Sequence, residues 1–141
     1  MLRAVLDTSV IVSALRSASG ASNACLRLVA EERIRPLVTT ALFLEYEAVL
    51  LGPEQRLAHG LTPEKVESFL AALASANEAV EVSFQWRPQL ADPNDEMVLE
   101  AAVNGRADRL VTFNLRHFER AARRFGIAVR RPGDLLEEMR S

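Results

Sequence analysis

The first six residues constrain the fold more than any other segment, because Met1 to Leu6 is apolar apart from Arg3. A strand that is apolar on both faces is typical of a parallel sheet, in which helices cover both faces. A polar triplet, Asp7-Thr8-Ser9, follows at once. The opening of the chain therefore predicts a short buried strand with polar residues at its carboxyl end.

Strand and helix patterns alternate along the rest of the chain. Further strands are predicted at residues 35–39, 79–84, 109–112 and 127–129, and Pro36 favours an edge or the start of its strand. Helices are predicted at residues 10–16, 23–32, 40–51, 62–76, 92–104, beyond the loop 113–117, and at 132–139. This alternation predicts an α/β fold on a parallel sheet. With 141 residues and no repeat or linker, we expect one domain over residues 1–141.

Apolar runs and cysteine content indicate the cellular compartment in which the protein is expected. No apolar run approaches the roughly 20 residues that a membrane span needs, and Leu2 to Leu6 is too short for the core of a signal peptide. We therefore expect a cytoplasmic protein that does not contact a membrane. Cys25 is the single cysteine, which excludes an internal disulfide, and it is predicted to be a buried core residue.

Arginine accounts for sixteen of the seventeen basic residues, although the net charge is −2. Six arginines with one acid, Glu119, among them stand near the carboxyl end of the chain: Arg116, Arg120, Arg123, Arg124, Arg130 and Arg131. Two interpretations stay open. The cluster is a solvated helix face, or it is a local basic surface whose guanidinium groups match phosphate oxygens.

Asp7 is the sharpest single candidate for a functional residue. Sites in open parallel sheets form beyond the carboxyl ends of the strands, where Asp7 stands. An acid placed directly after an apolar strand is costly to half-bury unless positive charge meets it. The amide groups at the start of the next helix offer that charge, and so does a metal ion shared with other acids.

Other acids could reach the same end of the sheet. Glu45 stands within an otherwise apolar helix, and Glu47 lies about 200° around it, so spacing alone does not choose between them. Asp92 precedes Pro93 as a helix N-cap, and Asp95 follows in the first turn, where the helix dipole also favours negative charge.

Converging carboxylates raise each other's pKa, and a hard divalent ion removes that penalty. Mg²⁺ and Mn²⁺ prefer carboxylate and water oxygens, whereas no histidine or cysteine cluster suggests zinc. His59 is expected in a loop without a functional role. If the acids meet, the sequence predicts a Mg²⁺ or Mn²⁺ site.

Four segments, in order, resemble the motifs of PIN domains. Leu6-Asp7-Thr8-Ser9-Val10 resembles their opening, and residues 44–50 resemble their central helix. Asp92-Pro93-Asn94-Asp95 resembles the third motif, and residues 105–118 resemble the fourth. The resemblance runs from Met1 to about Pro132, and it is strongest to the small bacterial PIN proteins assigned as VapC-type toxins of toxin–antitoxin pairs.

The resemblance implies a three-layer α/β/α fold with a central, mostly parallel sheet, and a Mg²⁺- or Mn²⁺-dependent ribonuclease that acts on RNA. It implies metal ligation by Asp7, Glu45 and Asp95, with Asp92 as an auxiliary ligand, and it selects Glu45 over Glu47. Residues expected to orient these ligands or to contact substrate are Thr8, Ser9, Thr112, Arg116 and His117. A homodimer and a small antitoxin partner are also implied.

The fourth motif departs from the family pattern. Many relatives carry an aspartate in the loop after the Val-Thr pair, whereas Asn114 and His117 occupy the equivalent positions here. An amide oxygen of Asn114 can bind Mg²⁺, but without charge. This change puts a second metal ion, and full activity, in question.

Two other functions are consistent with the same residues. A non-catalytic PIN-like module would keep the fold and bind RNA or protein without hydrolysis, because position 114 is uncharged. A phosphatase or phosphotransferase would use Asp7 as a nucleophile, as haloacid-dehalogenase-like enzymes use an aspartate after their first strand. Those enzymes require a second acid two residues on, where Ser9 stands here.

Overall fold

The centre of the molecule is a five-stranded sheet in which all neighbouring strands are parallel. The structure is a computed structural model that describes residues 1–83 and 90–140. The strands lie in the order β3-β2-β1-β4-β5, with β1 at Leu2–Leu6, β2 at Ile34–Val38, β3 at Glu78–Ala79, β4 at Arg109–Val111 and β5 at Ala128–Arg130. The predicted three-layer α/β/α fold is confirmed.

Strand β1 occupies the middle of the sheet, as its apolar sequence predicts. It pairs with β2 on one side and β4 on the other, and Ala4, Val5 and Leu6 are fully buried. Because β1 and β4 are parallel neighbours, with Leu6 opposite Val111, their carboxyl ends lie side by side. This register brings the polar residues after both strands to one edge of the sheet.

Helices cover the sheet on both faces. Their bounds are α1 Thr8–Arg16, α2 Ala21–Ala30, α3 Thr40–Leu50, α4 Pro53–His59, α5 Pro63–Ala76, α6 Pro93–Asn104, α7 Leu115–Arg124 and α8 Pro132–Arg140. The predicted N-caps of two helices are confirmed: Thr62 accepts a hydrogen bond from the Lys65 amide at 3.2 Å, and Asp92 accepts one from the Asn94 amide at 2.9 Å. Among the described residues, none of these helices combines the length and apolar character that crossing a membrane requires.

Gly105, the predicted cap of α6, is needed for close packing. Its φ of −85° is open to any residue. A Cβ added there would lie 2.8 Å from the Ala101 carbonyl oxygen and 3.1 Å from the Leu37 side chain. The glycine therefore lets the end of α6 approach β2, which fixes the helix that carries Asp95.

Helix α4 was not predicted, because Gly52-Pro53 was interpreted only as the end of α3. None of its side chains is buried, so it lacks the amphipathic pattern on which the prediction depended. The expectation that His59 lies in a loop was wrong. It is the last residue of α4, where its ring nitrogens contact the Leu50 carbonyl oxygen at 3.1 Å and the Leu61 amide at 2.9 Å.

Several predicted boundaries also differ from the structure. The predicted loop 113–117 ends early, because α7 begins at Leu115. The predicted strand 79–84 is a two-residue strand, Glu78–Ala79, and Phe84 lies outside the described residues. Pro36 stands in the middle of β2, which has neighbours on both sides. Its missing amide is tolerated there because β3 pairs only with Leu37 and Val38, beyond the proline.

Candidate functional site

Asp7 directly follows β1 and lies at the carboxyl edge of the sheet. Its Oδ2 accepts hydrogen bonds from Ser9 Oγ at 2.9 Å and from Thr112 Oγ1 at 2.6 Å. Asp7 is only 7% exposed, and Thr112 is fully buried. Two hydroxyl groups, one from the start of α1 and one from the end of β4, therefore fix the orientation of this carboxylate.

The start of α1 makes no side-chain capping hydrogen bond to Asp7, although Asp7 stands in the N-cap position of that helix. Within residues 1–83 and 90–140, no arginine, lysine or histidine forms an ion pair with it. A buried carboxylate with neutral partners alone is costly, and a cation would reduce that cost.

Asp95 lies in the first turn of α6, close enough to sense the charge of Asp7. Its side chain is 14% exposed, and His117 Nδ1 donates a hydrogen bond to its Oδ2 at 3.0 Å. Burial raises the pKa of Asp95, His117 opposes the rise, and the negative charges of Asp92 and Asp7 add to it. The structure therefore brings Asp7, Asp92 and Asp95 into one region of negative potential.

Tyr46 of α3 is a site residue that the sequence analysis missed. Its hydroxyl donates a hydrogen bond to the carbonyl oxygen of Leu6, the residue before Asp7. Burial and the charge of Asp7 both raise the pKa of Tyr46, so the hydroxyl stays protonated. This contact joins α3 to the end of β1, but no local pattern could have predicted a bond between residues so far apart in the chain.

Glu45 and Glu47 differ in their surroundings. Glu45 is half-buried, whereas Glu47 is exposed. Glu45 is also next to Tyr46, which contacts the end of β1. Among the described residues, no group of acids that includes Glu45 is arranged to hold a metal ion, so metal ligation by Glu45 stays a prediction.

The remaining predicted site residues stand at the starts of helices α1, α6 and α7. Thr8 is the half-buried first residue of α1. Asn114 is exposed at the N-cap position of α7, and its side chain makes no capping bond. Its backbone amide donates a hydrogen bond to Thr112 Oγ1 at 3.0 Å. Asp92 is exposed and caps α6. The side-chain amide of Asn114 is thus not used to cap its own helix.

A groove of about 540 Å³ runs from the acids along α7. It is lined by Asp92 and Asp95 from the start of α6 and by Arg116, His117, Arg120 and Arg124 from α7. These arginines are four residues apart, so they share one face of α7. The six-arginine cluster is therefore divided: three line this groove, while Arg130 forms an ion pair with Glu138 at 3.2 Å.

Two further acids were not selected by the sequence analysis. Glu96 and Glu100 are buried on α6, one turn apart. Glu96 accepts a hydrogen bond from the Leu90 amide, and so it anchors the chain before α6. The four-residue spacing of these acids within an apolar segment was the available signal.

The donor set of the pocket fits a hard divalent ion at two positions. Asp7 and Asp95 supply carboxylate oxygens, the ligands that Mg²⁺ and Mn²⁺ prefer. In residues 1–83 and 90–140, however, no group of three or more histidine, cysteine, aspartate or glutamate side chains is arranged to hold a metal ion. A complete three-carboxylate centre therefore stays a prediction.

Cys25 is fully buried, as predicted, and its thiol lies 3.7 Å from the Pro132 carbonyl oxygen. Burial raises its pKa to about 11. A thiol that stays protonated is a poor nucleophile, so Cys25 is part of the core and not of the site.

Comparisons with known proteins agree with this geometry. A family model described as PIN domain matches residues 3–116. No curated protein matches the chain significantly in sequence.

Three solved structures are similar in fold. A chain of VapBC2 from Rickettsia felis, bound to a DNA fragment from its promoter, has a TM-score of 0.63 at 17% identity, covering 92% of this chain and 98% of that one. A chain of VapBC-1 from nontypeable Haemophilus influenzae has a TM-score of 0.62 at 14% identity, covering 94% and 99%. A chain of DNA-bound VapBC from Salmonella typhimurium has a TM-score of 0.63 at 20% identity, covering 94% and 99%.

Proposed function

We propose that this chain, which belongs to the PIN domain family, is an endoribonuclease that hydrolyses RNA phosphodiester bonds with Mg²⁺ or Mn²⁺. The observation that carries the proposal is Asp7, a buried carboxylate held by two hydroxyl groups and paired with no cation among the described residues. The nearby charges of Asp92 and Asp95 add to the negative potential that an ion would neutralise.

In this proposal Asp7, Glu45 and Asp95 hold the ion, with Asp92 as an auxiliary ligand and Asn114 as a neutral one. A bound Mg²⁺ or Mn²⁺ supplies Lewis acidity, which favours deprotonation of water and stabilises charge on a phosphoryl oxygen. No covalent enzyme intermediate is involved, so no side chain is needed as a nucleophile.

The other residues of the pocket position these ligands. Ser9 and Thr112 both bond to Oδ2 of Asp7, so Oδ1 is the oxygen that would be available to an ion. Thr8 lies at the start of α1, next to Asp7. His117 holds Oδ2 of Asp95 through Nδ1, and its side chain is 54% exposed, so the ring also lines the groove.

The arginine face of α7 positions the RNA backbone. Arg116 and Arg120 are exposed, and they form no ion pair within the described residues. Guanidinium groups without an internal partner are available for phosphate oxygens. They line the same groove as Asp92 and Asp95, so an RNA backbone bound in that groove would lie near these acids.

We further propose that the chain is the toxin of a toxin–antitoxin pair and that it forms a homodimer. The support is the fold, which is similar to chains of three VapBC complexes. An antitoxin would block the acidic pocket by placing an arginine against Asp7 and Asp95. Co-purification with the product of a neighbouring short reading frame, and loss of RNA cleavage in that complex, would test this role. Light scattering of the purified chain would test the dimer.

Cleavage of single-stranded RNA by the purified chain, with Mn²⁺ and then with EDTA, tests the nuclease proposal. We expect Asp7→Asn, Glu45→Gln and Asp95→Asn to abolish Mn²⁺-dependent cleavage. Glu47→Gln is the matched control, because Glu47 is on the same helix but exposed. Equal cleavage by the wild type and Asp7→Asn would contradict the proposal.

Metal binding can be tested without turnover. Mn²⁺ at 100 times its Kd stabilises a folded protein by about 2.7 kcal/mol, so it should raise the melting temperature of the wild type. Asp7→Asn should lose this rise and keep its fold. A rise that persists in this variant would place the ion elsewhere.

A non-catalytic RNA-binding module is the second candidate. It is favoured by the uncharged Asn114 and by the bond between His117 and Asp95, which occupies one ligand oxygen. RNA binding without Mn²⁺-dependent turnover in the wild type would support the module over the enzyme.

A further inference from the structure

Tyr46 of α3 lies against the peptide group that carries Asp7. It is 2% exposed, and its hydroxyl donates a hydrogen bond to the Leu6 carbonyl oxygen. Burial and the charge of Asp7 both raise the pKa of Tyr46, so this hydroxyl remains a donor. The Asp7 amide belongs to the same peptide group, and it donates to the Val111 carbonyl oxygen of β4 at 2.9 Å. This one peptide group is therefore held from two sides, by β4 at its N–H and by α3 at its C=O.

The Leu6 carbonyl group points away from β4, because the C=O and N–H of one trans peptide group point in opposite directions. It therefore faces the side of β2. The paired residues of β1 and β2 end at Ala4 opposite Pro36, so Leu6 lies beyond them. A buried backbone carbonyl group requires a donor, and at this point the Tyr46 hydroxyl takes the place of a neighbouring strand.

The ring of Tyr46 is fixed by packing as well as by its hydroxyl group. It meets the Phe43 ring edge to face, with the centroids 6.3 Å apart and an interplanar angle of 61°. Thr39 caps the helix that carries both rings, because its side chain accepts from the Leu42 amide at 3.1 Å. Since Glu45 is the residue before Tyr46, a fixed Tyr46 also fixes the part of α3 from which Glu45 projects.

We propose that Tyr46 is a positioning residue for the candidate metal site: its hydroxyl group joins α3 to the peptide group of Asp7, and so sets the carboxyl groups of Glu45 and Asp7 at the separation that one divalent ion requires. This inference rests on the proposed function, since it concerns the ligands of that ion. Tyr46 takes no chemical step itself and acts through the two acids. A purely structural contact between α3 and the sheet is the alternative, and the experiment separates the two.

Tyr46→Phe deletes the hydroxyl group and keeps the ring that packs against Phe43. Thr39→Val is the matched control, because it deletes another buried hydroxyl group, the one that caps α3, without touching Leu6. Thermal unfolding in EDTA verifies that both variants fold. The Kd of Mn²⁺ is then measured for each from the EPR signal of the free ion, together with Glu45→Gln and the double variant Glu45→Gln/Tyr46→Phe.

We expect Tyr46→Phe to raise the Kd of Mn²⁺ about 10- to 100-fold, the usual effect of removing a group that orients a metal ligand. Thr39→Val should leave the Kd unchanged. The double variant should bind Mn²⁺ as weakly as Glu45→Gln alone, because Ser9 and Thr112 still hold Asp7 and the position of α3 then no longer matters. Excess Mn²⁺ should restore RNA cleavage by Tyr46→Phe, since that variant keeps every ligand.

A second readout needs neither metal nor turnover. In EDTA, amide exchange followed by NMR reports how firmly the peptide group of Asp7 is held. The Asp7 amide should exchange about tenfold faster in Tyr46→Phe than in Thr39→Val, since one hydrogen bond of ordinary net strength corresponds to about one decade in an equilibrium constant.

A third readout keeps the hydroxyl group and so does not depend on the folding of Tyr46→Phe. Tyr46 is the one tyrosine of the chain, so 3-fluorotyrosine labels this position alone. Paramagnetic Mn²⁺ held by Asp7 and Glu45 should broaden the ¹⁹F signal, and it should not do so in Asp7→Asn. A sharp signal in the presence of bound Mn²⁺ would place the ion away from Tyr46 and overturn the assignment.

Wild-type Mn²⁺ affinity in Tyr46→Phe would also overturn it, and so would equal losses in Tyr46→Phe and Thr39→Val, which are the mark of a structural role. Independent effects, in which the double variant shows the product of the two single losses, would exclude action through Glu45. A wild type that binds no Mn²⁺ contradicts the proposed function instead. Exchange of the Asp7 amide then decides alone whether Tyr46 holds this peptide group.

Discussion

Replacement of Thr112 by valine tests whether a buried hydroxyl group holds Asp7 in place. Valine keeps the size and branched shape of threonine and removes only Oγ1. That atom donates to Asp7 Oδ2 at 2.6 Å and accepts from the Asn114 amide at 3.0 Å. Thr112 is fully buried, so water cannot take the place of the lost hydroxyl. The variant therefore leaves a buried carboxylate with Ser9 as its one hydroxyl donor among the described residues.

The two bonds differ in strength. A hydrogen bond to a charged group contributes about 1.5–3 kcal/mol, and a neutral one about 0.5–1.5 kcal/mol. Because Asn114 is exposed, we expect water to solvate its backbone amide once Oγ1 is lost. The second hydrogen bond therefore contributes at the low end of the neutral range. We expect Thr112→Val to lower the free energy of unfolding by about 2–3 kcal/mol. For a domain of this size that is a fall in melting temperature of about 6–9 °C.

Urea and thermal unfolding in EDTA, followed by circular dichroism, measure this difference without metal. Thr112→Ser is the matched variant, because it keeps the hydroxyl and loses a buried methyl worth about 1 kcal/mol. Thr112→Val should be the less stable of the two. In the nuclease assay it should also lose about 10- to 100-fold in activity, the usual effect of a residue that orients a metal ligand. A Thr112→Val variant as stable as Thr112→Ser would refute the argument.

Three smaller predictions follow from other contacts. Arg120→Gln should weaken single-stranded RNA binding and reduce the slope of log Kd against log salt concentration by about 0.7. Arg123→Gln, which lies outside the groove, should change neither the affinity nor the slope. Fluorescence anisotropy at several salt concentrations measures the two quantities. The Arg109 bond at 2.7 Å lowers the pKa of Glu138, so that ion pair stabilises the fold above the ordinary glutamate pKa of about 4.3. Glu138→Gln should therefore be less stable at pH 7 by about 0.5 kcal/mol, and the difference should vanish as the pH falls through the lowered value. Since burial raises the pKa of Cys25 to about 11, its thiol should react with Ellman's reagent at pH 8 about 100-fold more slowly in the folded protein than in urea.

Local patterns predicted the parts of the fold that depend on local physics. The apolar residues of β1 predict that both of its faces are covered, and the structure places β1 in the middle of the sheet. The caps at Thr62 and Asp92 are bonds between near neighbours, so the residue types alone predict them. Helix α4 escaped prediction because it buries no side chain, and hydrophobic periodicity is the signal by which helices are found.

The candidate site was predictable only in part, because its contacts are long-range. The meeting of Asp7 and Thr112 follows from one general rule: the carboxyl ends of neighbouring parallel strands share an edge. No rule of that kind gives the bond from Tyr46 to Leu6 or from His117 to Asp95. Both depend on how a helix lies against the sheet, which single-sequence patterns do not specify.

Buried polar groups without a full set of partners differ between the site and the rest of the core. Within the described residues, Ser22 Oγ and Asn77 Nδ2 are buried polar atoms without a hydrogen-bond partner, but both are neutral and cost about 1–3 kcal/mol each. Asp7 has its hydrogen bonds, but no cationic side chain of residues 1–83 and 90–140 forms an ion pair with it, and an unpaired buried charge costs more than an unpaired neutral group. A chain selected for stability alone would place asparagine there, since its side-chain oxygen can accept from the same hydroxyl groups. In the proposed function the carboxylate is retained for the ion that it would bind, and on that proposal Asp7→Asn should lose metal binding without losing the fold.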